Sequence, residues 1–315
     1  MTIGDFIHTL ASQLEAIYDK NEARSIARFF VCDELKLTMT QMFIFMDDDL
    51  DETSLRKLSE KSIRLINGEP LQYVTGIAYF HGLRFKVDRN VLIPRQETEI
   101  LVNTVCDSSL NVVEAEVGNT IKILDIGTGS GCIAVCLKKF LPEAKVFAID
   151  ISEKALEIAK QNAESNQTEI NFAQYDILSD EKFPFSEKFD IIVSNPPYVL
   201  NSEKTLMHKN VTDFEPSLAL YVDDNAPLLF YHSILKFIER HQPDCKPLVF
   251  FEINEHLGNE MLKLCQSFGY NAEIINDLNG KNRFIKASSH SQSEMHPEMH
   301  PEPVEGCRKA ANHPL

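Results

Sequence analysis

The run "FDIIVSNPPYVL" at 189–200 ends an apolar stretch with Asn195-Pro196-Pro197-Tyr198. Two consecutive prolines remove two backbone donors and fix φ near −65°. The first also keeps Asn195 out of the helical region. Such stiffness suits a turn, and equally a site that must hold an amide side chain and a carbonyl in place. A second candidate lies upstream in "LDIGTGSGCIAVCL", where Gly127, Gly129 and Gly131 alternate with Thr128 and Ser130 behind Asp125. Glycines there let the backbone turn tightly and approach a ligand, while a following helix offers unpaired N–H groups, so a nucleotide-like cofactor is the natural occupant. The G-x-G-x-G spacing differs from that of dinucleotide folds.

The next two strand-like runs supply acids. "KVFAID" ends in Asp150, an acceptor-only carboxylate that can take both hydroxyls of a ribose. "NFAQYDIL" is expected to end its strand at Asp176, placed for an adenine amino group, with Ile177 packing on the ring. Each acid read alone serves equally as a cap on the following helix. In chain order the glycine turn, Asp150, Asp176 and the Asn-Pro-Pro-Tyr exit form one series, and ligands of open α/β sheets lie beyond the carboxyl ends of the strands.

Those elements require a scaffold. "IKILDIG", "KVFAID", "INFAQYDI", "FDIIVSN", "LVFFEI" and "NRFIKA" are short apolar runs separated by helical segments, which predicts a largely parallel α/β sheet over about 92–288. "LIPRQETEILVNTV" opens a helix with Thr98 and acidic residues in its first turn; Arg95, Glu97 and Glu99 read either as crevice residues or as helix-start residues. Residues 73–91 alternate around His81-Gly82 and predict a hairpin linker. Residues 1–72 read as helices, with Phe6, Leu10, Leu14 and Ile17 on one face of the first. Leu55, Leu58, Ile63 and Ile66 line the last, and Gly68 ends it. Asp47, Asp48, Asp49 and Asp51 lack the glycine of a calcium loop and read as a solvated helix start. Residues 289–315 repeat Met-His-Pro-Glu without apolar periodicity, so a disordered tail is expected rather than a metal site.

The chain has 315 residues, 43% hydrophobic and 25% charged, enough for two domains. Its charge of −16, from 47 acidic against 31 basic side chains, disfavours a sequence-independent grip on nucleic-acid phosphates. Seven cysteines without metal-ligand spacing read as reduced packing residues, Cys132 and Cys136 among them. The N-terminus lacks a basic leader, and nothing approaches the ~18 apolar residues of a membrane span. A cytoplasmic protein without membrane segments is expected.

With these motifs in order the sequence resembles the Rossmann-like, S-adenosylmethionine-dependent methyltransferases that act on planar nitrogens. "EPLQYVTGIAYFHGLRFKVDRNVLIPRQETEILV" at 69–102 narrows the resemblance to the protein-(glutamine-N5) methyltransferases of class-1 peptide chain release factors. "LDIGTGSGCIA", "SNPPY", Glu215-Pro216 before Leu218-Ala219-Leu220, and "INDLNGKNRFI" are similar to that family as well. The match spans roughly residues 1–287, with departures at Gln96, in "EINEHLG" and in "YVDDNAPLLFY". The resemblance implies a helical N-terminal domain that docks the release factor, and a pocket where the glutamine of its Gly-Gly-Gln tip meets the methyl donor. Carried onto this chain, Gly127, Thr128, Gly129, Ser130, Gly131, Asp150, Asp176 and Ile177 bind S-adenosylmethionine, with Asn195 beside them. Asn195, Pro196, Pro197 and Tyr198 hold the glutamine amide. The two acceptors of Asn195 and Pro196 each take one N–H of the amide, and Tyr198 provides a planar wall. No metal and no nucleic-acid substrate are implied, and a monomer is expected. A base-methylating enzyme shares Asn-Pro-Pro-Tyr but calls for a basic surface that this charge does not offer. A non-catalytic docking module would have no need of an intact Asn195.

Overall fold

The structure, a computed structural model, describes residues 1–115 and 120–289. The described chain divides into two compact units: Met1–Ile77 with Met207–Glu215, and Ala78–Leu206 with the described residues that follow from Pro216 to Ser289.

The first unit is helical. It consists of α1 (Ile3–Leu14), α2 (Lys20–Leu35), α3 (Met39–Ile44), α4 (Glu52–Ile66) and α5 (Leu71–Thr75). The helix starts follow capping chemistry. Thr2 and Thr38 form capping boxes, and the Asp19 and Asp51 carboxylates accept from backbone N–H groups at the starts of α2 and α4. Asp51 is thus the helix start anticipated for the acidic cluster. Phe6, Leu10 and Leu14 are buried, but Ile17 is 46% exposed because α1 stops at Leu14 and the chain turns toward the Asp19 cap. On α4 the buried stripe is Leu58, Ser62 and Leu65; Ile63 falls off it and is 58% exposed. Gly68, at φ 85°, closes α4, yet it does not end the last helix. Pro70 starts α5, and Gly76 in the left-handed region stops it. Residues 73–75, expected in the hairpin, are therefore helical.

The hairpin itself is β1 (Ile77–Phe80) and β2 (Leu83–Lys86). Its two turn residues, His81 and Gly82, both have positive φ, as a tight two-residue turn between twisted strands requires. Buried His81 is held there: its backbone N–H donates to Glu99 Oε1 at 2.7 Å and its ring Nε2 to the Glu99 carbonyl at 2.9 Å.

The remaining elements run α6 (Glu97–Ala115), β3 (Lys122–Ile126), α7 (Cys132–Phe140), β4 (Lys145–Asp150), α8 (Glu153–Ser165), β5 (Ile170–Gln174), β6 (Ile191–Ser194), β7 (Val199–Leu200), a 3-10 turn (Asn201–Leu206), α9 (Lys209–Thr212), α10 (Ser217–Leu220), β8 (Tyr221–Val222), α11 (Leu229–His241), β9 (Leu248–Glu252), α12 (Gly258–Ser267), β10 (Tyr270–Asn276) and β11 (Asn282–Ser289). Of these, α9 clusters with the helical unit.

Seven strands form one sheet in the order β10-β11-β9-β6-β3-β4-β5. The ladder from β9 to β5 is parallel, and β11 runs antiparallel to both its neighbours. Alternate residues feed two cores: Ile123, Val146, Ile191, Val193 and Phe250 face α6 and α7, while Leu124, Ile149, Ile192, Val249 and Phe251 face α11 and α12. The edge strand β10 went unanticipated; it has one partner strand, and its polar residues interrupt the apolar run. Between β5 and β6 no helix forms. Instead Phe183 and Phe185 stack edge-on against Tyr175, Phe147 and Phe189 and cover the sheet there. Ser289 belongs to β11, and the remainder of the expected tail lies outside the described residues.

No disulfide joins the six described cysteines; Cys132 and Cys136 lie buried on α7. No described helix is long and apolar enough to cross a membrane. Among the described residues no cluster of His, Cys, Asp and Glu is arranged to hold a metal ion.

Candidate functional site

Strand order reverses between β3 and β6: the chain steps outward through β4 and β5, then returns to the other side of β3. A crevice opens at the carboxyl ends of strands at such a point. A cavity of about 330 Å³ lies there, lined among others by Gly127, Thr128, Gly129, Ser130, Asp150, Asp176, Ile177, Asn195, Pro196 and Pro197. Residues from four strand ends thus share one wall.

The glycine turn is organised by backbone bonds. Gly127 and Thr128 donate to the Ile149 carbonyl at 2.9 and 3.0 Å, and Gly129 N–H donates to Asp150 Oδ2 at 2.8 Å. Gly127 and Gly129 have φ of 74° and 56°, and a Cβ at either would project into open space. The turn therefore presents bare backbone to the cavity. Gly131 differs. It caps α7 in the left-handed region, stands off the cavity wall, and a Cβ there would come 3.0 Å from the Ala159 Cβ. Its role is close packing of α7 on α8.

Asp150 also accepts from Ser152 N–H at 2.8 Å through Oδ1. Burial raises its pKa, against the pull of those N–H donors. With two donors on about four lone-pair sites, the carboxylate keeps capacity for hydroxyl groups. Asp176 lies two residues beyond the end of β5 rather than on it, and its Oδ1 accepts from Leu178 N–H at 2.8 Å in a local turn. It borders the cavity all the same. Asp125, fully buried, accepts the Thr128 hydroxyl proton at 2.6 Å, and among the described residues its Oδ1 finds no hydrogen-bond partner. Burial pushes its pKa up to about 7.

Across the cavity, the Ser194 hydroxyl donates to the Ile126 carbonyl at 2.7 Å and locks the ends of β6 and β3 together. Asn195 follows, with its Nδ2 directed at Thr98 Oγ1 at 3.4 Å. Tyr198 is not on the cavity wall. Its hydroxyl donates to Glu252 Oε1 at 2.9 Å, and its carbonyl accepts from Asn254 Nδ2 at 3.3 Å. Burial, and then the charge of Glu252, raise the Tyr198 pKa well above its ordinary value.

Two functional neighbours were not singled out as site residues from the sequence. Glu252, at the end of β9 and almost fully buried, accepts from Thr98 Oγ1 at 2.7 Å as well as from Tyr198. Burial raises its pKa, opposed by both hydroxyls and by Arg283. The visible signal was an acid closing the otherwise apolar "LVFFE". Of the helix-start residues, Arg95 and Thr98 line the cavity, whereas Glu99 is engaged by the hairpin turn.

The chain matches two family models, "Methyltransferase small domain" over residues 98–215 and "PrmC N-terminal domain" over residues 5–76. It is 40% identical to the release factor glutamine methyltransferase of Flavobacterium psychrophilum, over 91% of this chain and 99% of that one. It is 39% identical to the release factor glutamine methyltransferase of Bacteroides thetaiotaomicron, over 89% of this chain and 97% of that one.

Proposed function

The chain belongs to the family of release factor glutamine methyltransferases and is an S-adenosylmethionine-dependent methyltransferase, and from that premise we propose that it methylates the side-chain amide nitrogen of the glutamine in the Gly-Gly-Gln motif of class-1 peptide chain release factors. The observation that carries this reading is that the glycine turn and Asn195-Pro196-Pro197 line the same cavity.

The residues present fit the methyl donor. Gly127 and Gly129 leave room for it, and Thr128 and Ser130 complete the turn. Asp150 takes ribose hydroxyls on the lone pairs its backbone donors leave open. Asp176 and Ile177 take the adenine edge and face, and Gly131 sets the start of α7 against which the turn rests. S-adenosylmethionine supplies a methyl group on a sulfonium with an excellent leaving group. The acceptor is the harder half: an amide nitrogen is a poor nucleophile because its lone pair is delocalised. Asn195 Oδ1 and the Pro196 carbonyl each accept one N–H and favour the pyramidal nitrogen that develops as it attacks, an electrostatic and orienting contribution. Pro197, with its fixed φ, stiffens the exit and holds that carbonyl in place. Tyr198, standing off the cavity wall, is assigned not the flat surface expected for the amide but the bracing of the Asn-Pro-Pro exit through its hydroxyl on Glu252.

The helical unit is assigned to docking the release factor, the segment 76–91 with its hairpin to the linker, and 92–288 to catalysis. The enzyme is proposed to act as a monomer in the cytoplasm on protein rather than nucleic acid, in keeping with its charge of −16.

Asn195→Ala tests the assignment of the acceptor site. Single-turnover transfer is expected to fall roughly 10²–10³-fold, the usual worth of one preorganised group acting in the transition state. Affinity for S-adenosylmethionine is expected to change little. A rate within a few-fold of the parent would remove Asn195 from the reaction.

A further inference from the structure

An amide can point either way. Asn195 helps only if its oxygen, and not its NH2, faces the acceptor, and the two orientations have nearly the same shape. We propose that Thr98 is a positioning residue that, together with Glu252, fixes the orientation of the Asn195 amide. The proposal rests on the reading of Asn195 given above.

The argument follows the single proton of the Thr98 hydroxyl. Glu252 Oε2 lies 2.7 Å from Thr98 Oγ1, and as an anion it offers lone pairs alone, so Thr98 donates to it. Its partner oxygen takes the Tyr198 hydroxyl proton at 2.9 Å. Having spent its proton, Thr98 presents only lone pairs to Asn195, 3.4 Å away. Those lone pairs attract Nδ2 and repel Oδ1. The NH2 group therefore turns to Thr98, and Oδ1 is left for the substrate N–H. The groups sit at the start of α6 and at the ends of β6 and β9, and Glu252 is itself fixed because the Tyr231 hydroxyl donates to its backbone carbonyl at 2.9 Å. Thr98 is 2% exposed and Glu252 1%, so water does not compete for the bond between them.

The test is a double-mutant cycle read in single-turnover transfer. Thr98→Val replaces the hydroxyl by a methyl of nearly the same volume, and Thr98→Ser restores it. Thr98→Val is expected to slow transfer roughly tenfold, about the worth of one hydrogen bond, with S-adenosylmethionine affinity unchanged. Thr98→Ser is expected to return the rate to within about twofold of the parent. In the Asn195→Ala background Thr98→Val should have no further effect, because nothing remains to orient. Equal slowing by Thr98→Val with and without Asn195, absence of serine rescue, or an unchanged rate with only a lower melting temperature would overturn the positioning role. If Asn195→Ala alone leaves the rate intact, the acceptor reading fails and this inference with it. If Asn195→Ala is slow but Thr98→Val is not, this inference alone fails.

Discussion

Two carboxylates stand at strand ends in the large sheet and are held in opposite ways. Asp150, closing β4, is gripped by the backbone N–H groups of Gly129 and Ser152. Glu252, closing β9, is gripped by the side-chain hydroxyls of Thr98 and Tyr198. The first arrangement is made by backbone of the turns that follow β3 and β4, and leaves lone pairs open toward the cavity. The second joins chain segments far apart in sequence, its two oxygens taken by Thr98 and Tyr198. One carboxylate is therefore set by the backbone of adjoining turns, and the other by a buried side-chain network.

If that contrast holds, Asp150→Ala should weaken S-adenosylmethionine binding by roughly 10–100-fold, since hydrogen bonds to a charged acceptor are the stronger kind. Melting temperature should fall less, because the turn keeps its bonds from Gly127 and Thr128 to the Ile149 carbonyl. Calorimetric titration beside a thermal melt checks both. Unchanged affinity would break the comparison on the donor side.

A smaller effect concerns pH. Burial raises Asp125 to about 7 in the folded chain, from an ordinary value of 3.8. Between those values the folded state binds a proton that the unfolded state has released. The stability from this group is therefore complete below about pH 4 and is lost as pH rises through about 7. Asp150 and Glu252 shift in the same direction for the same reason. Melting temperature should thus decline across that window, and Asp125→Asn, which cannot titrate, should flatten the decline. An identical slope in the variant would show that Asp125 is ionised throughout. Asp51 and Asp277, whose N–H donors lower their pKa, act in the opposite sense at more acid pH.

The same contrast explains what could be read from the sequence. The glycine turn, Asp150 and the Asn-Pro-Pro-Tyr exit are local chemistry written in consecutive residues, and the structure brings most of them to one cavity. Apolar runs marked β3, β4, β6 and β9 because strands buried on both faces need them. Thr98 read only as a helix-start residue, because its partner Glu252 lies 154 positions away. Periodicity also overran the helix ends at Ile17, where a cap and turn outcompete the repeat, and misplaced Ile63 by one position on the stripe. The β10 strand was invisible because an edge position tolerates polar residues.

The central claim is that the acceptor half of this site holds a glutamine amide. The direct measurement is single-turnover transfer of labelled methyl to an intact class-1 release factor, to the same factor with the Gly-Gly-Gln glutamine replaced, and to DNA or RNA, followed by mapping of the label. Transfer confined to that glutamine of the intact factor is the expected result. Label that persists after the glutamine is replaced, or that prefers the nucleic acid, would contradict the claim.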